Sequence, residues 1–213
     1  MENTQKLQKF VITSMFVAII FILTFTPIGF IQLGLIKATI IHIPVIIGSI
    51  LLGPRIGAIL GSFFGFASLI TNTMIPSLLS FAFSPLIPIP GTDHGSMLAL
   101  IICFVPRILV GIVPYYVYKL LMKLFSNRKS AEWIALAVAG VAGSMTNTLL
   151  VLNLIFFFFQ DAFAVVKNIS ISTVYRAIML IVAVNGIPEA LVASVIITTL
   201  GKILLKITKQ TNG

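Results

Sequence analysis

The sequence predicts an all-α, polytopic membrane protein with six transmembrane helices and both termini on the cytoplasmic side. Three observations carry this. Of 213 residues, 59% are hydrophobic and only 9% charged, against roughly 25% charged in a soluble domain, so lipid is the solvent for most of the chain. The apolar runs are long and continuous rather than alternating with period two. Helices and closed barrels alone satisfy every backbone polar group in lipid, and runs of this kind select helices. Finally, the positive charges fall to one side once the spans are drawn.

The first span is expected from about Phe10 to Thr26, ending at Pro27. It is too long for a signal-peptide core, and no small-residue cleavage site follows it. A Gly-rich apolar stretch, Ile28 to Ala38, contains Lys37. The second span, about Thr39 to Leu52, is short for a bilayer at roughly 1.5 Å per residue. Gly53-Pro54-Arg55 makes a tight turn, and the third span runs from about Ile56 to Thr71. A loop from Asn72 to Ser96 holds Pro76, Pro85, Pro88 and Pro90. The fourth span is about Met97 to Tyr118, the fifth Trp133 to Phe159 and the sixth Ala177 to Leu204. A re-entrant hairpin in place of spans two and three would bury Arg55 at its tip, at a cost of a few kcal/mol; six crossings avoid that. No soluble domain or linker interrupts residues 1–213, which form one transmembrane domain.

With the N terminus inside, the inner side holds Lys6, Lys9, Arg55, Lys119, Lys123, Arg128, Lys129, Lys202, Lys206 and Lys209, ten against the outer three, Lys37, Lys167 and Arg176. The net charge of +9 is therefore a topology signal and implies no nucleic-acid partner. Tyr115, Tyr116, Tyr118 and Trp133 fall at the inner interface, where amphipathic rings belong.

Polar groups inside membrane helices are costly and so are candidates for function. Arg107 in span four, Glu189 in span six and Asn147 in span five are expected at similar depth, in the outer half. Arg107 and Glu189 either pair and pin two helices together or line a substrate cavity, and a pair at the floor of a cavity satisfies both. The run Gly143-Ser144-Met145-Thr146-Asn147-Thr148 offers close approach and interhelical hydrogen bonds. Gly57, Gly61 and Gly65 form a smooth stripe for a neighbouring helix, and Ser14 and Ala18 a smaller one. His42 and His94 are expected at loops or interfaces. They are too far apart for a metal motif, and the single cysteine, Cys103, reads as a small core residue. No metal or cofactor is expected. The chain has no phosphate-binding loop, serine elbow, kinase signature, voltage-sensor ladder or selectivity filter. A self-sufficient transporter or channel, or a membrane hydrolase using His42 or His94, is thus supported by no motif, and no catalytic residue is assigned.

Taken in order, His42-Ile43-Pro44-Val45-Ile46-Ile47-Gly48, Gly53-Pro54-Arg55-Ile56-Gly57, Val105-Pro106-Arg107-Ile108-Leu109-Val110-Gly111, Thr146-Asn147-Thr148 and Asn185-Gly186-Ile187-Pro188-Glu189-Ala190 resemble the substrate-binding S components of energy-coupling-factor vitamin transporters. The first block is most similar to the pantothenate branch. The resemblance implies a multi-pass protein of the bacterial cell membrane that binds a vitamin from outside. Its partners would be a transmembrane coupling subunit and two cytoplasmic ATPases, and it would topple in the bilayer to deliver the vitamin inward. A small-residue stripe on span one meets the coupling subunit in that family; the matching positions are Ser14 and Ala18, with Ser a conservative departure. The site would lie in the outer half, capped by the loops after spans one, three and five, with Leu78, Phe81, Phe83 and Leu86 as apolar cover. Pantothenate, a small anion with an amide, two hydroxyls and a gem-dimethyl group, needs one cation, amide-type partners and an apolar wall. Arg107 is the first choice for its carboxylate, with Lys37 and Arg176 as alternatives and Asn147, Asn185, Glu189 and His42 as further contacts.

Overall fold

The computed structural model describes residues 2–33, 36–125 and 130–211, and the side chains of 5–29, 39–125 and 130–207. Helix α1 (Glu2–Phe25) leads into a two-stranded antiparallel hairpin, β1 (Phe30–Leu33) and β2 (Ile36–Thr39), with Phe30 opposite Thr39. The rest is helical: α2 (His42–Leu52), α3 (Pro54–Met74), α4 (Leu98–Val110), α5 (Val113–Leu124), α6 (Ala131–Lys167), α7 (Val174–Ile181) and α8 (Ile187–Thr211). A π-turn, Val182–Gly186, joins α7 to α8.

Among the described residues, five helical segments are long and apolar enough to cross a bilayer: 5–25, 54–74, 98–124, 131–167 and 171–207. The expected second span is the exception. Its helix has 11 residues, about 16 Å at 1.5 Å per residue, and the stretch before it is the hairpin rather than an irregular loop. The α2 helix compensates by being buried on every side: His42 to Ile50 are all buried. Gly53 (φ +96°) then reverses the chain in one residue, and Pro54 starts α3 where its missing N–H costs nothing. The fourth span breaks at Gly111-Ile112, the fifth kinks at Phe159 (φ −139°, ψ 28°), and the sixth begins six residues earlier than its apolar run suggests.

The glycine stripe sets the packing. A Cβ on Gly57 would overlap the carbonyl of Gly111, one on Gly61 the carbonyl of Arg107, and one on Gly65 would lie 2.9 Å from the Phe104 ring. Each step of four on α3 meets a step of four back along α4, so the two helices run antiparallel with backbones in contact. Ser49 adds a hydrogen bond from α2 to the Gly111 carbonyl (2.6 Å), and the Cys103 thiol donates to Gly65 (3.1 Å), as befits a small core residue. Two apolar cores result. One gathers Ile46, Val45, Leu60, Leu136 and Ile197 around α2. The other gathers Phe81, Ile102, Ile155, Phe163 and Ile178 beneath the loop after α3. The end bearing the α2–α3 turn is the basic end; there Lys202 lies 3.9 Å over the Trp133 ring and Lys119 5.9 Å over Tyr115. Of the remaining basic residues assigned to that end, Arg128 and Lys129 and the side chain of Lys209 lie outside the described residues.

Candidate functional site

Arg107 is built into its position by its neighbour. Pro106 has no N–H, so the carbonyl of Ile102, four residues back, loses its normal helical donor. Arg107 Nη1 donates to that oxygen at 2.8 Å. The guanidinium is held between two rings, with Phe64 of α3 at 5.5 Å and Phe83 of the following loop at 5.0 Å. The residue is 7% exposed, and its buried Nε–H has no partner among the described residues. A buried polar atom normally has one, so this is a donor waiting for an acceptor.

Glu189 does something else. Its Oε1 accepts the backbone N–H of Thr39 at 2.8 Å, a contact across 150 residues of sequence. The Thr39 and Thr148 side chains also face the carboxylate. Of the two readings open for Arg107 and Glu189, the pairing is not seen: among the described residues no ion pair joins them, and each bonds a backbone group instead.

Other buried polar groups have no hydrogen-bond partner among the described residues. His42 is 1% exposed, at the first turn of α2, and neither ring nitrogen has a partner among the described residues; it sits in a helix and not in a loop. Ser144 Oγ and Asn147 Oδ1 on α6 are likewise buried and unpartnered. Gly143 packs against Ile46. Carried one turn further along antiparallel helices, that pairing sets Asn147 level with His42. Gly186 lies against Thr148, which brings the π-turn and its half-buried Asn185 to the same level. Turns of this kind are frequent where a helix must aim side chains.

The loop after α3 covers this half of the molecule. Ser80 donates to Asn72 Oδ1 (2.7 Å), Asn72 Nδ2 donates to the Ser68 carbonyl (2.8 Å), and Thr73 and Ser84 share a bond of 2.7 Å. Phe81, 2% exposed, meets Phe159 edge-on at 5.7 Å. Phe81 and Phe83 thus point inward as expected, whereas Leu78 (71% exposed) and Leu86 (74%) point out and cover nothing.

The other expected site residues are placed apart. Arg176 is exposed on the first turn of α7, and His94 is exposed in the loop, holding Thr92 through its carbonyl. Lys37 falls in β2, and its side chain lies outside the described residues. Ser14 and Ala18 are both exposed, on the face of α1 opposite buried Phe16 and Ile20. Thr39 and Phe64 were not legible as site residues. Thr39 and Phe64 carry no polar-in-apolar signal of their own, and each acts through a partner far away in sequence. A groove of about 250 Å³ between α1, α2 and α8, lined by Phe16, Leu23, Ile43 and Leu200 among others, is wholly apolar and offers a polar ligand nothing.

Comparison with known proteins agrees with this architecture. Residues 8–201 match the family model described as the ECF transporter, substrate-specific component. The chain is 44% identical over 171 residues to the pantothenic acid transporter PanT of Lactococcus lactis subsp. cremoris, covering 80% of this chain and 79% of that one. It is 28% identical to the pantothenate transporter PanT of Leuconostoc mesenteroides subsp. mesenteroides, over 98% and 97% of the two chains. Its fold is similar to that of a crystallised S component for biotin from an ECF-type ABC transporter, with a TM-score of 0.51 at 20% identity over 95% of each chain. The chain belongs to the substrate-specific components of ECF transporters and is a multi-pass membrane protein.

Proposed function

We propose that this substrate-specific component binds pantothenate from outside the cell and delivers it inward with a transmembrane coupling subunit and two ATPases. The observation that carries the ligand is the 44% identity to a protein named as a pantothenic acid transporter. The geometry is compatible in chemistry. Arg107 offers a buried cation with a free Nε–H for a carboxylate, and a guanidinium suits that planar acceptor. Asn147, Ser144 and His42 supply buried donors and acceptors for an amide and two hydroxyls. Phe64 and Phe83 supply an apolar wall. Asn185 completes the polar set from the π-turn. Glu189 contributes by fastening Thr39, so its role is to hold the site's border. Lys37 and Arg176 remain candidates only for the approach of an anion.

The orientation follows from charge. Among the described residues, Lys6, Lys9, Arg55, Lys119, Lys123, Lys202 and Lys206 belong to the end with the α2–α3 turn, which supports a cytoplasmic position for that end and an outer one for the loop-covered half. Energy comes from partners, since this sequence has no phosphate-binding loop. The exposed Ser14/Ala18 stripe on α1 is the docking face for the coupling subunit.

Calorimetry of a vitamin panel against the purified protein in detergent tests the reading. Binding of pantothenate alone, at nanomolar Kd (about −12 kcal/mol), is the expected result. Tight binding of a different vitamin would overturn the ligand while keeping the family. Absence of binding to any, by protein shown to be folded, would overturn the site.

A further inference from the structure

We propose that Pro106 is a positioning residue for Arg107 and through it sets the preference of the site for a carboxylate over an uncharged group. The inference rests on the reading of Arg107 as the anion anchor. In an unbroken helix the N–H of residue 106 would occupy the Ile102 carbonyl. Pro106 abolishes that donor while α4 continues through it as a helix from Leu98 to Val110. The freed oxygen is fully buried, since Ile102 is 0% exposed, and it needs a donor. Helical side chains lean toward the N terminus, so the next residue, Arg107, can reach back and supply one at 2.8 Å.

The consequence is chemical as well as geometric. Of the five guanidinium N–H groups, Nη1 is committed to a neutral acceptor, so the side chain is fixed while its charge stays uncompensated. The rings of Phe64 and Phe83, at 5.5 and 5.0 Å, restrict rotation about that tether. Nε–H is left buried and open. A carboxylate as the internal partner would have held the guanidinium equally well and quenched it. With an ordinary residue at 106, the backbone N–H would compete for the Ile102 oxygen, and the guanidinium would lose its tether.

The test compares affinities for pantothenate and for its alcohol analogue, in which a primary alcohol replaces the carboxylate, in the full-length protein. Pro106→Ala is expected to lower the carboxylate-over-alcohol preference by about tenfold or more, the range of one charge-assisted bond, with affinity for the alcohol held within about threefold. Pro106→Ser repeats the loss. An ester in place of the 105–106 amide, made with a hydroxy acid at position 106, lacks the N–H without having the ring and is expected to restore the preference. A proline that merely bends the helix would alter both ligands alike, and the ester would rescue neither. Should the second lone pair of the Ile102 carbonyl serve both donors, Pro106→Ala would keep the preference, and the role assigned to Pro106 would fall. Arg107→Gln separates the two levels. If it leaves the preference intact, the anion anchor itself is wrong. If it erases the preference while Pro106→Ala and the ester do not differ, only the positioning role is wrong.

Discussion

Two charged residues inside the membrane each follow a proline, and the two regions use that cue in opposite ways. At Pro106-Arg107 the helix stays α-helical, and the charged side chain repairs its own ladder by donating to the carbonyl the proline left bare. At Pro188-Glu189 the chain widens instead into a π-turn, in which the Ile187 N–H reaches back five residues to Val182. The carboxylate turns to the Thr39 N–H at the end of the hairpin. A cation can satisfy a freed carbonyl, because it carries only donors; an anion cannot, because it carries only acceptors. Sign therefore decides whether such a residue closes on its own helix or reaches for another element. Arg107 keeps its charge available, and Glu189 spends its lone pair on a neighbouring segment.

The sharpest way to break this contrast is to remove each side chain in turn. Arg107→Ala takes away the proposed anion anchor and leaves the Ile102 oxygen bare. We expect pantothenate affinity to fall by roughly 100-fold or more, the range for losing a buried charge partner, while the protein remains monodisperse in detergent. Calorimetry and size-exclusion chromatography read the two quantities. Unchanged affinity in a folded variant would remove Arg107 from the site.

Glu189 should respond more gently and in a different observable. Glu189→Ala strands the Thr39 N–H, and a hydrogen bond to a charged acceptor contributes about 1.5–3 kcal/mol. The expected outcome is roughly a tenfold loss of affinity, expressed mainly as faster ligand release in stopped-flow dissociation, since the contact borders the site. Glu189→Gln keeps an acceptor for Thr39 and should stay within about threefold of the parent. If Gln were as damaging as Ala, the negative charge itself would matter, and Glu189 would have to be a ligand contact instead of a fastening.

The same comparison shows what could be read from the chain. The membrane class and the Gly57/Gly61/Gly65 stripe follow from composition and local spacing, and such signals survive folding because they describe one helix or one turn. Arg107, Asn147 and Glu189 were visible as polar groups in apolar runs. Their partners were not. Opposite charges in spans four and six left a salt bridge open as one reading, yet both found backbone atoms, one freed by an adjacent proline and the other lying 150 residues away. The hairpin was hidden for a related reason. Residues 28–38 are apolar and Gly-containing with no clear period, and the pairing of Phe30 with Thr39 is a tertiary choice.

The smallest expected effect on ligand binding belongs to α1, and its smallness is the point. Ser14 and Ala18 are exposed, and the Ser14 hydroxyl is satisfied within its own helix by the Phe10 carbonyl at 3.0 Å. The packing face of α1 is the other one, carrying Phe16 and Ile20. Neither small residue touches the polar cluster. The double variant Ser14→Phe with Ala18→Phe should therefore leave pantothenate affinity within about twofold, as for substitutions away from buried features. The same variant should fail to co-purify with the coupling subunit and its two ATPases, because bulk on a small-residue stripe keeps a partner helix from close approach. Loss of both properties would mean that the stripe packs within this chain after all. Retention of both would move the docking face elsewhere on the bundle. Loss of assembly alone would separate the molecule into a loop-covered half that selects the ligand and a helix face that recruits the energy.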